Sequence, residues 1–301
     1  TDLDLGHYER FIDEDLNRFT EKPALVYREE GNYSVDFAGT DEGLYVSYVT
    51  RDNRIVCLEY EAASPERAKH KYEISDGGGV VSAGGSYSAM PLAVYRKELY
   101  ALAVKNGLGI IRIARDGSRT DLPLCHGSGK KSVIKSADLL VDESGIHAGW
   151  AEMEQGKEGT ASFFYSFCDH VAKKIDTRQI PLKGDSPHAL NVVLVKMNSR
   201  VVMMIQYGNE MWMVKSTGGP SIKAHAEKLS VIGTGKYPPV AGCSCSDDEC
   251  LVIFHKVDGA YIYSSRSGLK RSTSPGYIKR AYCHGTKCIQ FNSEKGIMPL
   301  E

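Results

Sequence analysis

Residues 189–216 read ALNVVLVKMNSRVVMMIQYGNEMWMVKS and carry a clear structural signal. Three apolar runs are separated by two short polar turns, at 197–199 and 208–210. The first two runs are almost continuously apolar, as expected of strands that are covered on both faces. The pattern therefore predicts an antiparallel sheet. Its predicted strands are 189–196, 201–207, 211–216 and 222–229.

The same hairpin pattern recurs six times along the chain. Polar turns of one kind lie at 39–43, 96–98, 142–145, 197–199, 246–249 and 284–287. Turns of a second kind lie at 51–53, 105–107, 154–156, 208–210, 257–259 and 293–295. Successive repeats are about 50 residues apart, which is typical of a β-propeller blade built from short strands. We therefore predict an all-β fold, a six-bladed β-propeller that occupies residues 1–301 as a single domain.

The last blade needs a strand from elsewhere in the chain. The predicted blades are about 33–75, 89–124, 134–181, 189–229, 240–273 and 279–300. The last of these has sequence for three strands only, which would leave an open sheet edge. The strand-like segment 24–28 precedes the first blade, so we expect it to pair with 296–300 and close the ring. Residues 1–22 form an N-terminal arm in this interpretation.

Charge and hydropathy exclude two classes of partner. The chain has 37 basic and 38 acidic residues and a net charge of −1. A balanced charge predicts no general attraction to nucleic acid or to an anionic membrane surface. No stretch of the sequence approaches the 18 or more consecutive apolar residues of a membrane-spanning helix, so no membrane insertion is expected.

Two pairs of the eight cysteines have hairpin spacing. Cys245 and Cys250 flank a four-residue turn, and Cys283 and Cys288 do the same one blade later. Residues that face each other across an antiparallel hairpin have Cα atoms about 4.5–5.5 Å apart, within disulfide range. We predict a disulfide in each pair and therefore an oxidising compartment, secreted or on the extracellular surface. The sequence leaves open the pairing of Cys57, Cys125, Cys168 and Cys243.

Two other interpretations of the cysteines stay open, buried thiols and a zinc site. Cys243, Cys245 and Cys250 could join the second pair as thiolate ligands, but the spacing departs from zinc knuckles. We therefore predict no metal. Asn32 begins the sequon Asn32-Tyr33-Ser34 beside the turn-like Gly31 and is the predicted glycosylation site.

Motifs for catalysis or cofactor binding fail on inspection. Residues 127–132 resemble a phosphate loop but lack its first glycine, and 84–88 resemble a nucleophile elbow but end in serine. The nine histidines are scattered singly. We predict no cofactor and no catalytic residues.

Two turns resemble the Asp-box, S-x-D-x-G-x-x-W, of sialidase-type propellers. The turn 264–268 keeps the serine and the glycine but has Arg266 in place of aspartate, and 114–117 keeps an Asp-Gly pair. The chain thus resembles a degenerate member of the sialidase superfamily. Active members need three arginines that grip a carboxylate, a tyrosine nucleophile with a glutamate base, and an aspartate acid. The arginine placement on the first blade does not match, so the resemblance implies a scaffold without sialidase activity.

The layout is also similar to that of the cysteine-rich protective antigens of malaria parasites. These are propellers with six blades and disulfides within blades, and they serve as adaptors. The resemblance implies a catalytically inert secreted or cell-surface adaptor that binds another protein, a host receptor or a complex subunit. The alternative is a glycan-binding lectin or a divergent sialidase-like glycosidase. A pocket lined by converging arginines and carboxylates, or by exposed aromatics, would favour the alternative.

Overall fold

Antiparallel β-strands make up the regular structure in the described part of this protein. The computed structural model describes residues 35–39, 43–49, 55–61, 64–75, 82–83, 87–88, 91–104, 108–125, 132–154, 161–171, 175–182, 190–197, 200–208, 210–215, 226–228, 240–246, 249–256, 259–264, 266–272, 278–284, 287–292 and 296–299. Within them the strands form five four-stranded sheets, one three-stranded sheet and one two-stranded hairpin. The all-β prediction is confirmed.

The strands are numbered in chain order and grouped by sheet. Sheet 1 contains β1 (Val35–Gly39), β2 (Gly43–Val49), β3 (Ile55–Glu61) and β4 (Ser64–Ser75). The short hairpin consists of β5 (Ser82–Ala83) and β6 (Tyr87–Ser88). Sheet 2 contains β7 (Leu92–Tyr95), β8 (Glu98–Val104), β9 (Leu108–Ile113) and β10 (Arg119–Cys125). Sheet 3 contains β11 (Ser132–Asp142), β12 (Gly145–Glu154), β13 (Ala161–Cys168) and β14 (Ile175–Ile180).

The remaining three sheets follow in the same way. Sheet 4 contains β15 (Leu190–Met197), β16 (Arg200–Tyr207), β17 (Glu210–Lys215) and β18 (Ala226–Lys228). Sheet 5 contains β19 (Val240–Ser246), β20 (Glu249–Lys256), β21 (Gly259–Ser264) and β22 (Gly268–Arg271). Sheet 6 contains β23 (Ile278–His284), β24 (Lys287–Asn292) and β25 (Gly296–Pro299). Each sheet is an antiparallel meander, because every strand pairs with its neighbour in sequence.

Sheet 4 illustrates why this sequence forms such meanders. Met197 pairs with Arg200 and Tyr207 pairs with Glu210, so tight turns lie where the polar residues predicted them. The first three strands agree with the predicted bounds to within one residue. The fourth, β18, is much shorter than predicted and largely exposed. An exposed outer strand has little apolar alternation, so its ends are weakly marked in the sequence.

Apolar side chains pack between successive sheets and not around one centre. The buried clusters of the described residues join sheets 1 and 2, sheets 2 and 3, sheets 3 and 4, and sheets 4 and 5. The first strands also contact one another in order, from β1 through β7, β11, β15 and β19 to β23. In addition, β23 contacts β1. Each sheet is thus covered by its neighbours in chain order.

Side chains of one first strand bind the backbone of the next. Because β15 pairs through β16 on one side only, the backbone N–H groups on its other side need other acceptors. Ser136 Oγ accepts a hydrogen bond from Val192 N at 3.0 Å, and Asp138 Oδ2 accepts one from Leu194 N at 2.7 Å. Ser136 and Asp138 are buried and lie two residues apart on β11, so both face β15.

Several predicted features lie outside the described residues. They are the arm at 1–22, the closing strand at 24–28 and the sequon at Asn32. Within the described part, no helix has the length and apolar character needed to cross a membrane.

Candidate functional site

A groove with a cavity volume of about 130 Å³ lies where sheet 1 meets sheet 2. Its walls come from β2, β3 and β4 on one side, and from β8, β9 and the turns next to them on the other. We call it the sheet 1–2 groove. It continues the buried cluster in which Tyr45 and Cys57 pack with Leu99 and Ile113. The groove is therefore the polar end of an apolar interface between two sheets.

Sheet 1 supplies two carboxylates on one strand face. Glu59 and Glu61 are two residues apart on β3, so the pleat turns both to the same side. Glu59 pairs with Tyr45 of β2 and with His70 of β4, and Glu61 pairs with Gly43. All five residues line the groove.

Both carboxylates have a donor beside them. The Tyr72 hydroxyl donates to Glu59 Oε2 at 2.6 Å. Burial, with a further contribution from Glu59, raises the pKa of Tyr72 and keeps it a neutral phenol. Lys69 Nζ donates to Glu61 Oε1, and this bond lowers the pKa of Glu61. Tyr72 and Glu59 have the residue types of the nucleophile and base in the sialidase resemblance, but the phenol is not activated.

Sheet 2 supplies an apolar floor with two cations above it. Leu99 of β8 pairs with Ile113 of β9, and both are buried. Lys97 lies two residues before Leu99, and Arg115 lies two residues after Ile113. Because the strands are antiparallel, the two cations lie at the same end of sheet 2. Both line the groove.

The turn between β9 and β10 positions Arg115. Ala114 N donates to Ser118 O at 2.9 Å, and Gly117 N donates to Ala114 O at 2.9 Å. Asp116 Oδ1 accepts from Ser118 N at 2.8 Å, and Gly117 has a φ of +82°, which favours glycine. This is one of the two Asp-box-like turns, and its aspartate holds the turn together.

The turn between β7 and β8 positions Lys97. Tyr95 pairs with Glu98, so Arg96 and Lys97 form a two-residue hairpin loop. Their φ values are +50° and +67°, as in a type I′ turn, where Asn-Gly is the usual pair. The Arg96 guanidinium carbon lies 5.1 Å from the centre of the Tyr95 ring. Arg96 therefore turns away to an aromatic face while Lys97 lines the groove.

A second polar cluster lies at the turn between β11 and β12. Ser144 Oγ donates to Asp142 Oδ1 at 2.6 Å and lies 2.9 Å from His147 Nε2, and His147 Nδ1 lies 2.5 Å from the Tyr165 hydroxyl. Burial works against the charge on Asp142, but hydrogen bonds from His147 and Ser144 outweigh it and hold the pKa of Asp142 well below its usual range. A nucleophilic triad would have serine donate to histidine and histidine to aspartate. Here the serine donates to the aspartate, so the cluster stabilises a turn.

The two predicted cysteine pairs differ in backbone register. Cys283 lies directly opposite Cys288 in the β23–β24 pair. In the β19–β20 pair Ser244 lies opposite Cys250, and the register shifts between Ser244 and Ser246. Both disulfides stay predictions.

Two other cysteines are buried as thiols, Cys57 in β3 and Cys168 in β13. Burial raises the pKa of Cys168 to about 11, so its thiol is unreactive. Among the described residues, no group of three or more His, Cys, Asp or Glu side chains is arranged to hold a metal ion. That the protein has no metal remains a prediction.

None of the groove residues was predicted as a site from the sequence. A signal was present, because a charged residue lies two positions beyond a buried apolar residue at each of two strand ends, Lys97 beside Leu99 and Arg115 beside Ile113. A charge at a strand end normally indicates a solvated edge. That two of these edges face each other across a groove depends on how the sheets pack.

Comparison with known proteins identifies the fold and no family. No protein-family model matches the chain, and no curated protein matches it. Solved structures do match. Trypanosoma rangeli sialidase in complex with the inhibitor DANA superposes with a TM-score of 0.56 at 8% identity, over 95% of this chain and 58% of that chain.

Two smaller proteins match over most of their length. Penicillium chrysogenum alpha-L-arabinanase complexed with arabinobiose has a TM-score of 0.53 at 10% identity, over 91% of this chain and 94% of its own. SapL1 lectin in complex with alpha methyl fucoside has a TM-score of 0.53 at 9% identity, over 90% of this chain and 96% of its own. These likenesses confirm the predicted β-propeller fold, of the type found in sialidases, arabinanases and lectins. At such low identity they concern the fold alone.

Proposed function

We propose that this protein is a glycan-binding β-propeller whose site is the sheet 1–2 groove. One observation carries the proposal: two carboxylates, two tyrosines and three cations line the groove around an apolar floor. Sugar hydroxyls both donate and accept hydrogen bonds, so they need acceptors such as Glu59 beside donors such as Arg115. Leu99 and Ile113 suit the apolar faces of a sugar ring.

The similar structures support the same class of ligand. SapL1 lectin is in complex with alpha methyl fucoside, and the Penicillium chrysogenum arabinanase is complexed with arabinobiose. The proposed architecture is a ring of six blades, sheets 1 to 6, in which residues 24–28 complete sheet 6. The contact of β23 with β1 supports such a ring.

The chemistry of the groove favours binding over hydrolysis. A glycosidase needs a carboxylic acid whose pKa is raised, so that it can protonate the leaving group. Lys69 has the opposite effect on Glu61, whose pKa is lowered. The hydrogen bond from Tyr72 to Glu59 is the one feature that favours a second candidate, a divergent sialidase-like glycosidase. Release of a fluorogenic aglycone from aryl sialosides and arabinosides tests that candidate, and Tyr72→Phe should abolish any release.

The adaptor hypothesis stays a prediction. It includes another protein as the partner, a secreted or cell-surface location, and the likeness to parasite antigens. Affinity capture with the full chain would test it separately, because capture needs no glycan. A partner captured equally well by a groove variant would indicate a second surface.

The glycan proposal is tested on an array of immobilised glycans with the full chain and two variants. Glu59→Gln keeps the shape of the groove but removes the charge on its acceptor. We expect it to bind about tenfold more weakly or worse, as is typical when a charged hydrogen-bond partner is lost. Glu227→Gln is the matched control, because Glu227 is exposed on β18 and contacts Lys215. The proposal fails if no glycan is bound, or if both variants bind like the wild type.

A further inference from the structure

The hairpin loop between β7 and β8 has an unfavourable backbone conformation. Among the described residues other than glycine, Arg96 and Lys97 are the two with left-handed φ values. Side chains other than those of glycine, asparagine and aspartate are disfavoured there. Asn-Gly would form the same loop without the cost. Strain that is retained at an exposed loop points to a role for one of its side chains.

Lys97 is the side chain that the loop places in the groove. It lines the groove beside Leu99, whereas Arg96 stacks on Tyr95 outside it. The strained loop and the Asp116 turn thus bring Lys97 and Arg115 to the same end of the sheet 2 wall. Two independent turns hold two cations over one apolar floor.

More basic than acidic side chains line the groove. Three Lys and Arg side chains line it, against two carboxylates. Glu61 is already bound by Lys69, and Glu59 accepts from Tyr72. Glu61 raises the pKa of Lys69 while Arg115 acts in the opposite direction, so these two cations are close enough to repel. An anion between the walls would relieve that repulsion.

We infer that the groove binds an acidic sugar, with the carboxylate or sulfate of that sugar on Lys97 and Arg115. The inference deepens the proposed glycan-binding function and rests on it. The guanidinium offers a planar pair of donors to either anion, and the ammonium adds a point charge. Glu59 on the opposite wall accepts from the sugar hydroxyls. Because Lys97 and Arg115 lie on one wall and Glu59 on the other, the groove also sets the orientation of the sugar ring.

The first experiment asks which glycans the full chain binds. The array carries neutral, uronate-containing, sialylated and sulfated glycans. We expect the acidic glycans to dominate, and their affinity to fall between about 50 and 500 mM NaCl, because salt screens the ion pairs. Comparing the binding of carboxylated glycans with that of sulfated glycans shows which of the two anions the groove binds. If neutral glycans bind equally well, the acidic-sugar inference is wrong while glycan binding stands. If no glycan binds, the proposed function fails and this inference fails with it.

The second experiment uses the loop itself. Lys97→Asn relieves the left-handed strain and removes the ammonium, so we expect a higher melting temperature and at least about tenfold weaker binding of an acidic glycan. Arg96→Asn is the matched control, with a higher melting temperature and unchanged binding. Lys97→Gln keeps the strain and should weaken binding without stabilising the fold. Wild-type affinity in both Lys97 variants would overturn the inference.

Discussion

Gly43 and Gly109 are both strand glycines, but their surroundings differ. A Cβ on Gly43 would lie 2.2 Å from the Tyr60 carbonyl oxygen, which belongs to the paired strand β3. A Cβ on Gly109 would have its nearest neighbour, Leu122 O, at 3.5 Å, an ordinary contact. Gly43 therefore allows β2 and β3 to approach closely at the wall of the groove.

We predict that Gly43→Ala destabilises the protein and Gly109→Ala does not. The backbone of Tyr60 cannot rotate away as a side chain can, so the clash should lower the free energy of unfolding by about 1–3 kcal/mol. For Gly109→Ala we expect a change within about 0.5 kcal/mol. Urea denaturation of both variants measures the difference. Equal midpoints would mean that β2 and β3 are not as close as the pairing of Gly43 with Glu61 requires.

The pairing of Lys97 with Arg115 could not be predicted from the sequence. The sequence places Lys97 and Arg115 two residues beyond the buried Leu99 and Ile113. Their proposed role as a pair depends on the register that sets Leu99 opposite Ile113. Register follows from which faces are buried, and burial is a property of the packed sheets.

The first strands of the sheets are joined by side chains as well as by packing. Asp138 on β11 is almost fully buried, and its carboxylate accepts from the backbone of Leu194 on β15. Each of these strands is at the edge of its own sheet. Such an edge would expose unpaired amides to another chain, and here a neighbouring strand caps them.

We predict that Asp138→Ala weakens the junction of sheets 3 and 4. The Leu194 N–H would lose its acceptor while still buried, which should cost about 1–3 kcal/mol of stability. Hydrogen exchange of the Leu194 amide should speed up more than that of other β15 amides. Glu143→Ala is the control, because Glu143 is exposed and its ion pair with Lys196 is worth about 1 kcal/mol or less. Unchanged exchange at Leu194 would show that water replaces the carboxylate.

At the scale of the whole molecule, each sheet depends on its neighbours for its core. Sheet 3 contributes side chains to the cluster with sheet 2 and to the cluster with sheet 4. Loss of one junction therefore exposes apolar surface on two sheets. If the sheets form the proposed ring, that dependence extends around the molecule and ring closure is cooperative.

We predict that removal of residues 1–30 destabilises every sheet, whereas removal of 1–22 does not. The first truncation removes the proposed closing strand at 24–28, and the second leaves it in place. Hydrogen exchange measured by mass spectrometry should show lost protection in sheet 4, far along the chain, in the first variant only. If protection falls in sheets 1 and 6 alone, segment 24–28 does not close the ring.

Local patterns in the sequence were enough to predict most of the strands and the class of fold. The alternation and the turns of 189–216 predict β15, β16 and β17 to within one residue, because backbone turns and strand faces are local properties. The repeat then predicted a propeller, which the structure and the comparisons confirm. The candidate site, in contrast, depends on how the sheets pack. Glu59 and Arg115 belong to different sheets, and no local pattern records which face of one sheet packs on which face of the next. The free energy that selects this packing comes from apolar surface buried between sheets, so the groove exists only in the assembled fold.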